Sequence, residues 1–428
     1  MRILSLFDGM ACGILAMQAA GIKVDRYVAF EIDKYAVQTS SHNFPIIEHR
    51  GDVFQADFTE FSGFDFLVGG SPCTYWSIAQ KNNRETEASG MGWELFSQYV
   101  RALHEAKPMY FIYENNKSMS KAIRESITET FGFEPICINS ALVSAQNRQR
   151  LYWVGRRNSD GTYSRVKVDQ PEDRGILLRD VLDGVTDREK GRCVLSSIGR
   201  TTTREYFKKD QGTMAFEPVA INATADGEKA RTLMAGYYKY GIATLITNEG
   251  FTGGTTAVAE PCRIPEYGIY DKSRPVTACY AYKGAGEGSL VSEAFPDNPN
   301  KQVRDYVAEP VPVFATACEW DESGKPTKAI SSADGKTYTV YEVKDGQITI
   351  KGKQYPINLA DGFYIIRKLT VSECKRLQTV PKWYEFPVSD SQAYKMLGNG
   401  WTVEVIAHLI DATQADVLEE EEQLSLFK

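Results

Sequence analysis

Between residues 1 and 155 the sequence alternates short apolar runs with amphipathic stretches, and this alternation is the feature that most limits the fold. The apolar runs predict strands at residues 3–7, 27–30, 64–68, 109–113 and 151–154. At residues 95–106 the apolar side chains recur at helical spacing, as expected of a helix that connects two parallel strands. The pattern therefore predicts an α/β fold built from βαβ units around a largely parallel sheet.

The rest of the chain differs in character. From about residue 156 it is rich in Gly, Thr, Tyr and charged residues without sustained periodicity, which predicts short strands and long loops. Helical spacing returns at residues 371–377 and 403–410. We therefore expect a first domain at 1–164, a smaller β-rich domain at 165–388, a segment at 389–412 that returns to the first domain, and an acidic tail at 413–428.

Composition narrows the class of protein. The chain has 49 basic and 56 acidic residues, a formal charge of −7, which taken alone argues mildly against a nucleic-acid partner. Four of the negative charges, however, form one run at 419–422. Eight cysteines without a C-x-x-C pair, together with four histidines, argue against a zinc site and a disulfide framework. No apolar run approaches the roughly 18 residues of a membrane span, so we expect a soluble, cytoplasmic protein.

Three predicted strands are followed by residues suited to a nucleotide-like ligand. Gly9 lies in a turn between a strand and a helix, where the backbone can approach a ligand closely. Glu31 follows the next strand, where a carboxylate can accept hydrogen bonds from a ribose, and Asp52 follows another short segment. Each of these has an equally simple structural explanation as a turn glycine or a surface acid. Together they predict a pocket for an adenosine moiety.

A second set of residues lies at the same predicted edge of the sheet. The fourth strand runs into Gly69-Gly70-Ser71-Pro72-Cys73, the next ends at Glu114-Asn115, and the last is preceded by Gln146-x-Arg148-x-Arg150. Taken singly, these would be read as a buried thiol, a strand-end carboxylate and a solvated basic loop. Their recurrence at one edge instead predicts a reactive site.

In this order, Pro72-Cys73, Glu114-Asn115 and Gln146-x-Arg148-x-Arg150 resemble the core motifs of the DNA cytosine-C5 methyltransferases. The segments 367–377 and 397–401 resemble the last two motifs of that family. The resemblance implies a class I S-adenosylmethionine-dependent methyltransferase fold, Rossmann-like, with a second, smaller β-rich target-recognition domain. It also implies transfer of a methyl group from S-adenosylmethionine to C5 of a cytosine that is flipped out of sequence-specific duplex DNA.

The resemblance assigns a role to individual residues. Cys73 is the nucleophile that adds to C6, Glu114 engages the edge of the cytosine, and Arg148 and Arg150 hold the base and order the site. A thiolate is intrinsically nucleophilic, so no histidine partner is required. The residues implied to line the cofactor pocket are Phe7, Asp8, Gly9, Glu31, Ile32, Asp52, Val53, Pro72, Leu95 and Asn399.

The sequence departs from the family at several positions. Ala11 and Cys12 stand where glycines are common, Asn116 stands where valine is usual, and Trp401 replaces a small aliphatic residue. The Asp8-Gly9, Arg26-Tyr27 and Trp401 details are more similar to the animal de novo and phage-type enzymes than to typical restriction-system members. We expect a monomer without a metal ion that contacts double-stranded DNA through the basic and aromatic residues of its middle region, namely Arg231, Tyr237, Arg274 and Tyr280.

Other functions are compatible with parts of the sequence. A tRNA substrate would keep the chemistry, but the roughly 200-residue insert favours DNA. Intact Cys73, Glu114 and Arg148 argue against a catalytically silent binding module. An N6-adenine methyltransferase would need a carboxylate or amide with two prolines and an aromatic at 71–74, and a nicotinamide oxidoreductase would need a second ligand-binding half.

The last residues carry a separate motif. After the acidic run, Gln423, Leu424, Leu426 and Phe427 resemble the peptide by which bacterial proteins dock on the sliding clamp of DNA polymerase. The alternative is the frayed end of a last helix whose apolar residues pack back on the body. The acidic residues before the motif favour a solvated tether, and we therefore expect the clamp as a further partner.

Overall fold

The computed structural model describes residues 1–77, 84–220, 232–233, 245–246 and 315–426. Its first sheet begins with β1 Arg2–Leu6, β2 Arg26–Phe30, β3 Ile47–His49, β4 Phe66–Gly69 and β5 Tyr110–Asn116. It is completed by β6 Ile136–Asn139, β8 Gln149–Arg157 and β9 Tyr163–Arg165, while β7 Gln146–Asn147 lies outside it. The helices that connect these strands are α1 Cys12–Ala19, α2 Lys34–Asn43, α3 Gly90–Ala106 and α4 Lys121–Phe131.

The strand order of this sheet is β3-β2-β1-β4-β5-β8-β6, with β9 paired to β8. Strands β3, β2, β1, β4 and β5 are parallel, and β8 runs antiparallel to both β5 and β6. The largely parallel sheet predicted from the sequence is confirmed. Because β1 to β5 are parallel, their carboxyl ends meet at one edge, and this edge carries the residues of interest.

Both faces of the sheet are covered, which explains why its strands are apolar throughout. Ile3 and Val68 belong to one hydrophobic cluster, whereas their neighbours Leu4 and Leu67 belong to the other, as the alternation along a strand requires. Helices α3 and α4 cover the second face. The first face is covered by α1 together with the last helices of the chain.

The middle of the chain forms a second sheet. Its strands are β11 Met214–Ala220, β14 Ala315–Trp320, β15 Pro326–Ile330, β16 Thr337–Lys344, β17 Gln347–Ile350, β18 Lys353–Pro356 and β19 Gly362–Lys368. Outside it, β10 Gly191–Arg192 pairs with β7, α5 Thr203–Lys209 precedes β11, and β12 Thr232–Leu233 and β13 Leu245–Ile246 form a separate two-stranded sheet. The pairings β14–β15–β16–β19–β11–β14 close on themselves, and the β17–β18 hairpin extends from β16. Closure leaves no free edge among these five strands.

After β19 the chain returns to the first domain through α6 Val371–Leu377, α7 Asp390–Asn399 and α8 Val403–Leu426. Residues from 369 to 410 join the cluster beneath α1, and so do apolar residues from 166 to 198. The strands of the second sheet, by contrast, lie between Met214 and Lys368. We therefore propose to place the second domain at about residues 201–368, inside the 165–388 interval expected from the sequence.

The sequence separated an acidic tail from residue 413 onward, whereas α8 continues without interruption to Leu426. Glu, Gln, Leu and Ala are good helix formers, so the helix extends through the acidic run. In the described part of the chain, no helix combines the length and apolarity needed to cross a bilayer.

A buried charge cluster joins the two domains. Arg367, at the end of β19, donates from Nη1 and Nη2 to the two carboxylate oxygens of Glu373 in α6, at 2.7 and 2.9 Å. Its Nε pairs with Glu217 in β11, and all three side chains are fully buried. Ser331 Oγ also donates to Glu217. One guanidinium thus serves two buried carboxylates and ties the second sheet to the returning segment, and hydrogen bonds from Ser331 and from main-chain N–H groups offset part of the cost of burying these charges.

Candidate active site and cofactor pocket

The turn from β1 to α1 has an unusual backbone. Phe7, Gly9 and Ala11 have φ angles of 57°, 58° and 61°, in the left-handed region that costs a non-glycine residue about 1–2 kcal/mol. Ala11, where the family commonly has glycine, thus adopts a conformation that glycine would adopt freely. Tyr384, from the returning segment, donates its hydroxyl hydrogen to the carbonyl oxygen of Met10 at 2.7 Å. The turn is therefore held in place by the far end of the chain.

Asp8 lies at the base of this turn with one oxygen still available. Its Oδ1 accepts hydrogen bonds from Ser5 Oγ and from the Tyr27 hydroxyl, both at 2.6 Å. Its Oδ2 is buried and has no hydrogen-bond partner. Burial raises the pKa of Asp8 to about 6, against the two hydrogen bonds, which lower it. A buried acceptor without a partner is rare, and it fits a pocket whose ligand supplies a donor.

Glu31 is locked directly beside the turn. Its Oε2 accepts from the Gly9 N–H at 2.8 Å, and its Oε1 accepts from the N–H groups of Ile32 and Asp33, also at 2.8 Å. Three of about four acceptor positions are used, which leaves room for a ligand hydroxyl. Ile32 is 77% exposed directly beside Glu31, where its side chain is free to contact a flat ring.

The other residues that the sequence assigns to the cofactor pocket lie on four different segments. Asp52 follows β3 and caps the short 3₁₀ turn Val53–Gln55 by accepting from the Phe54 N–H at 3.0 Å, and Val53 is buried. Pro72 is exposed after β4, Leu95 is half-buried in α3, and Asn399 is exposed at the end of α7. The structure thus brings Gly9 and Glu31 into direct contact and places Asp52 after the strand next to β2.

Side chains of β5 form hydrogen bonds with the loop that carries Cys73. Cys73 begins the 3₁₀ turn Cys73–Tyr75 directly after Pro72. Asn115 Nδ2 donates to the carbonyl oxygen of Ser71 at 3.2 Å, and the hydroxyl groups of Ser71 and Tyr113 are hydrogen-bonded at 2.7 Å. Two successive strand ends are therefore fixed to one another, and the backbone of the thiol residue is fixed with them.

Glu114 faces this loop and has a partner at each carboxylate oxygen. Arg150 Nε forms an ion pair with Oε1 at 3.0 Å, and the Trp401 indole Nε1 donates a hydrogen bond to Oε2 at 3.1 Å. Gly70 makes the approach possible, because a Cβ there would lie 2.8 Å from Oε2. The carboxylate is nearly buried, so its two donors are worth more than they would be in water.

Arg148 lies beside this pair and binds main chain. It is buried, and it donates to the carbonyl oxygens of Val194, Gly398 and Gly400 at 2.9, 3.1 and 2.7 Å. It also approaches Cys193 Sγ at 3.2 Å. Burial raises the pKa of Cys193, but the guanidinium groups of Arg148 and Arg150 outweigh burial and lower it. Arg148, between β7 and β8, thus fixes the main chain of residue 194 and of the returning segment.

Several predicted residues lie outside the described part of the chain. These are Arg231, Tyr237, Arg274 and Tyr280 of the middle region and Phe427 of the tail. The backbone of Gln423, Leu424 and Leu426 forms the end of α8. Among the residues that the structure does describe, no group of three or more His, Cys, Asp or Glu side chains is placed to hold a metal ion.

Sequence reasoning missed some residues that shape the site. Trp401 was visible only as a departure from the family, and Cys193 and Tyr384 carried no motif. Each acts on a partner far away in sequence, as in the separation of 287 residues between Trp401 and Glu114. Trp401 could have been singled out because it lies directly after the Gly398-Asn399-Gly400 segment.

A doubly wound sheet whose carboxyl edge carries a glycine turn, Glu31 and a Pro-Cys loop is the arrangement expected of a class I methyltransferase. Residues 1–415 match the family profile of C-5 cytosine-specific DNA methylases. The chain therefore belongs to that family, and it is a DNA cytosine-5 methyltransferase. The expectations of family, fold class and enzyme activity are confirmed.

Two relatives and one solved structure illustrate the similarity. The orphan methyltransferase M.SPRI of Bacillus phage SPR is 26% identical over 95% of this chain and 95% of its own length. The type II methyltransferase M1.ScrFI of Lactococcus lactis subsp. cremoris is 28% identical over 68% of this chain and 75% of its own. A crystal structure of a Spodoptera frugiperda DNMT2 variant covers 96% of this chain and 98% of its own, at 15% identity and a TM-score of 0.47.

Proposed function

We propose that the enzyme uses S-adenosylmethionine to methylate C5 of a cytosine flipped out of sequence-specific duplex DNA, through a covalent bond between Cys73 and C6. The observation that carries the proposal is the fixed relation between the thiol loop and the carboxylate. Asn115 holds Ser71, and Gly70 lies against Glu114. A nucleophile and an acid fixed on adjacent strand ends can act on neighbouring atoms of one ring.

The cofactor fits the residues present. Glu31 can accept hydrogen bonds from the ribose hydroxyls, Ile32 and Val53 can contact the adenine, and Asp8 Oδ2 can accept from the ammonium group. Gly9, Asp52, Pro72, Leu95 and Asn399 would complete the pocket. When bound, S-adenosylmethionine supplies an electrophilic methyl group on its sulfonium sulfur.

Residues of the chain then activate the cytosine ring for methylation at C5. The Cys73 thiolate adds to C6 of cytosine, and the electron pair of the C5–C6 double bond is displaced toward the C4–N3 side of the ring. Glu114 supplies a proton to N3, which makes C5 nucleophilic, and Arg150 keeps the carboxylate in place. Once C5 carries the methyl group, a base such as water would take the C5 proton, its electron pair would re-form the C5–C6 double bond, and Cys73 would leave as thiolate. N3 would return its proton to the Glu114 carboxylate.

The reacting edge of a stacked cytosine is not accessible to a thiol on the protein, so the nucleotide must leave the duplex. We assign recognition of the surrounding sequence to the second domain, including Arg231, Tyr237, Arg274 and Tyr280. Arg231→Ala or Arg274→Ala should weaken DNA binding or alter site choice at unchanged cofactor affinity. Equal loss of cofactor binding would contradict this assignment.

The nucleophile is tested by Cys73→Ala. We expect this variant to bind S-adenosylmethionine with normal affinity in calorimetry and to transfer no methyl group to unmethylated genomic DNA. DNA containing 5-fluorocytosine should trap a covalent adduct with the unmutated enzyme alone, because fluorine cannot leave C5 as a proton. Cys137→Ala, in β6 at the far edge of the sheet, is the matched control and should behave as the unmutated enzyme. Full turnover by Cys73→Ala would refute the mechanism.

We further propose that Gln423, Leu424, Leu426 and Phe427 bind a bacterial sliding clamp. A tether to a clamp that encircles DNA would raise the local concentration of the enzyme on newly replicated duplex. A peptide spanning residues 419–428 should bind purified clamp, and replacing Leu426 and Phe427 by Ala in it should abolish binding. The same double variant of the enzyme should methylate short oligonucleotides normally. Absence of peptide binding at high micromolar concentration would exclude the interaction.

A further inference from the structure

Trp401 is the one described tryptophan whose indole N–H reaches the predicted catalytic acid. It lies between α7 and α8, half-buried, and its Nε1 donates to Glu114 Oε2 at 3.1 Å. Oε2 is the oxygen that faces Gly70, at the start of the loop that carries Cys73. The contact therefore reaches the side of the carboxylate that faces the thiol loop.

We propose that Trp401 is a positioning residue for base activation, one that fixes the Glu114 carboxylate through its indole N–H. The inference rests on the role proposed for Glu114. It gives a function to a residue that stands where the family has a small aliphatic side chain, which cannot donate a hydrogen bond.

The chemistry of the two donors supports this role. An indole N–H donates and never accepts, and it does not titrate, so Trp401 holds Oε2 without competing for the proton that Glu114 delivers. Arg150 forms an ion pair with Oε1 at 3.0 Å. The charged partner therefore lies at Oε1, and the neutral indole donor lies at Oε2, the oxygen that faces the thiol loop.

The backbone of Trp401 is itself fixed from two directions. Its carbonyl oxygen accepts a long hydrogen bond from Cys12 Sγ, at 3.8 Å, at the beginning of α1. The preceding carbonyl, that of Gly400, accepts from Arg148 Nη2 at 2.7 Å and from Gln378 Nε2 at 3.3 Å. Because its backbone is held in this way, the Trp401 side chain is a rigid hydrogen-bond donor. A rigid donor can orient a carboxylate precisely.

The same contacts join two functional regions. Cys12 follows the turn that carries Gly9, and Arg148 binds the Gly398 and Gly400 carbonyls on either side of Asn399. Trp401 thus connects the cofactor turn to the acid that would contact the base. A purely structural tryptophan would fill the same space, and its loss would affect stability and the cofactor turn but would not act through the N–H group.

Replacing the indole N–H alone separates these roles. Trp401→Phe removes the donor, and 3-benzothienylalanine at position 401, introduced by amber suppression, replaces N–H by sulfur at nearly the same shape. The matched control is Trp320→Phe, an exposed tryptophan in β14 of the second domain. Melting midpoints and S-adenosylmethionine affinities are measured for every variant, and Glu114→Gln is carried in parallel.

The decisive readout is exchange of the C5 hydrogen in the absence of cofactor. Reversible addition of Cys73 to C6 allows C5 to exchange with water, so release of tritium from unmethylated genomic DNA labelled at cytosine C5 reports base activation alone. We expect both position-401 variants to lose exchange and kcat by on the order of 10- to 100-fold, the value of one hydrogen bond to a charged group. Cofactor affinity should stay within about twofold of normal, and Trp320→Phe should be unaffected.

Two results would overturn the inference while leaving the proposed function intact. One is normal exchange by the benzothienylalanine enzyme when Glu114→Gln has lost it. The other is a loss confined to cofactor affinity. If the unmutated enzyme shows neither exchange nor methylation of the same DNA, the proposed mechanism fails first. Should Trp401→Phe unfold, the benzothienylalanine enzyme alone decides, because its shape is preserved.

Discussion

Gly70 and Glu114 lie so close that a Cβ on the glycine would stand 2.6 Å from the carbonyl oxygen of Glu114 and 2.8 Å from its Oε2. A real Cβ does not tolerate such distances, so Gly70→Ala must displace the carboxylate. We expect kcat to fall at least tenfold with little change in cofactor affinity. In Gly69→Ala the new Cβ would meet Leu6 and Tyr99 instead, so this control should lose stability but keep the kcat of its folded fraction. Equal kcat values for the two variants would contradict this explanation.

Substitution of Arg148 should mainly lower stability, whereas substitution of Arg150 should mainly lower turnover. Arg148→Met removes a donor from the carbonyl oxygens of Val194, Gly398 and Gly400, of which Gly400 keeps the Gln378 amide, and should cost about 2 kcal/mol of unfolding free energy or more. Arg150→Met removes the cation paired with Glu114 and should lower turnover more than stability. Urea unfolding and steady-state methylation, measured on both variants, test the distinction. A larger loss of stability in Arg150→Met would reverse the assignment.

The pH dependence of cofactor binding should follow Asp8, whose pKa burial raises to about 6. At pH 5 only about a tenth of the free enzyme carries an ionised Asp8, while a cationic ligand favours the ionised form. Affinity for S-adenosylmethionine should therefore rise as pH increases from 5 to 7, by on the order of tenfold. Asp8→Asn should bind more weakly and without this dependence. Calorimetric titrations at several pH values suffice, and a flat profile for the unmutated enzyme would count against the cation contact.

The buried cluster between the domains should be costly to break. Arg367→Met leaves Glu217 and Glu373 without their cation, and we expect a loss of about 3–5 kcal/mol in unfolding free energy at pH 8. Burial already raises the pKa of Glu217, so in the variant this carboxyl should take up a proton as the pH falls. Because a raised native pKa lowers stability as pH rises, the loss should be smaller at pH 5 than at pH 8. Denaturant unfolding at both values measures it, and an equal loss would contradict the protonation.

The sheet could be predicted from the sequence because its strands are short apolar runs, and runs of this length are typical of buried strands. The sequence did not predict that β8 is antiparallel to β5, since the pattern of a buried strand carries no direction. Glu31 could be placed beside Gly9 because both follow adjacent strands of one fold unit. The contact of Trp401 with Glu114 depends on how the returning segment packs, and no spacing within the motifs encodes that.

The antiparallel pairing of β11 with β19 bears on how the second domain can vary. Met214 pairs with Lys368 and Ala215 pairs with Arg367, so the chain enters and leaves the second domain through two adjacent strands. The segment between these two strands can change in length and sequence without altering the sheet of the first domain. If the second domain reads the DNA sequence, as proposed above, it could be exchanged for another such domain by joining the chains at these two strands, with the first domain unchanged.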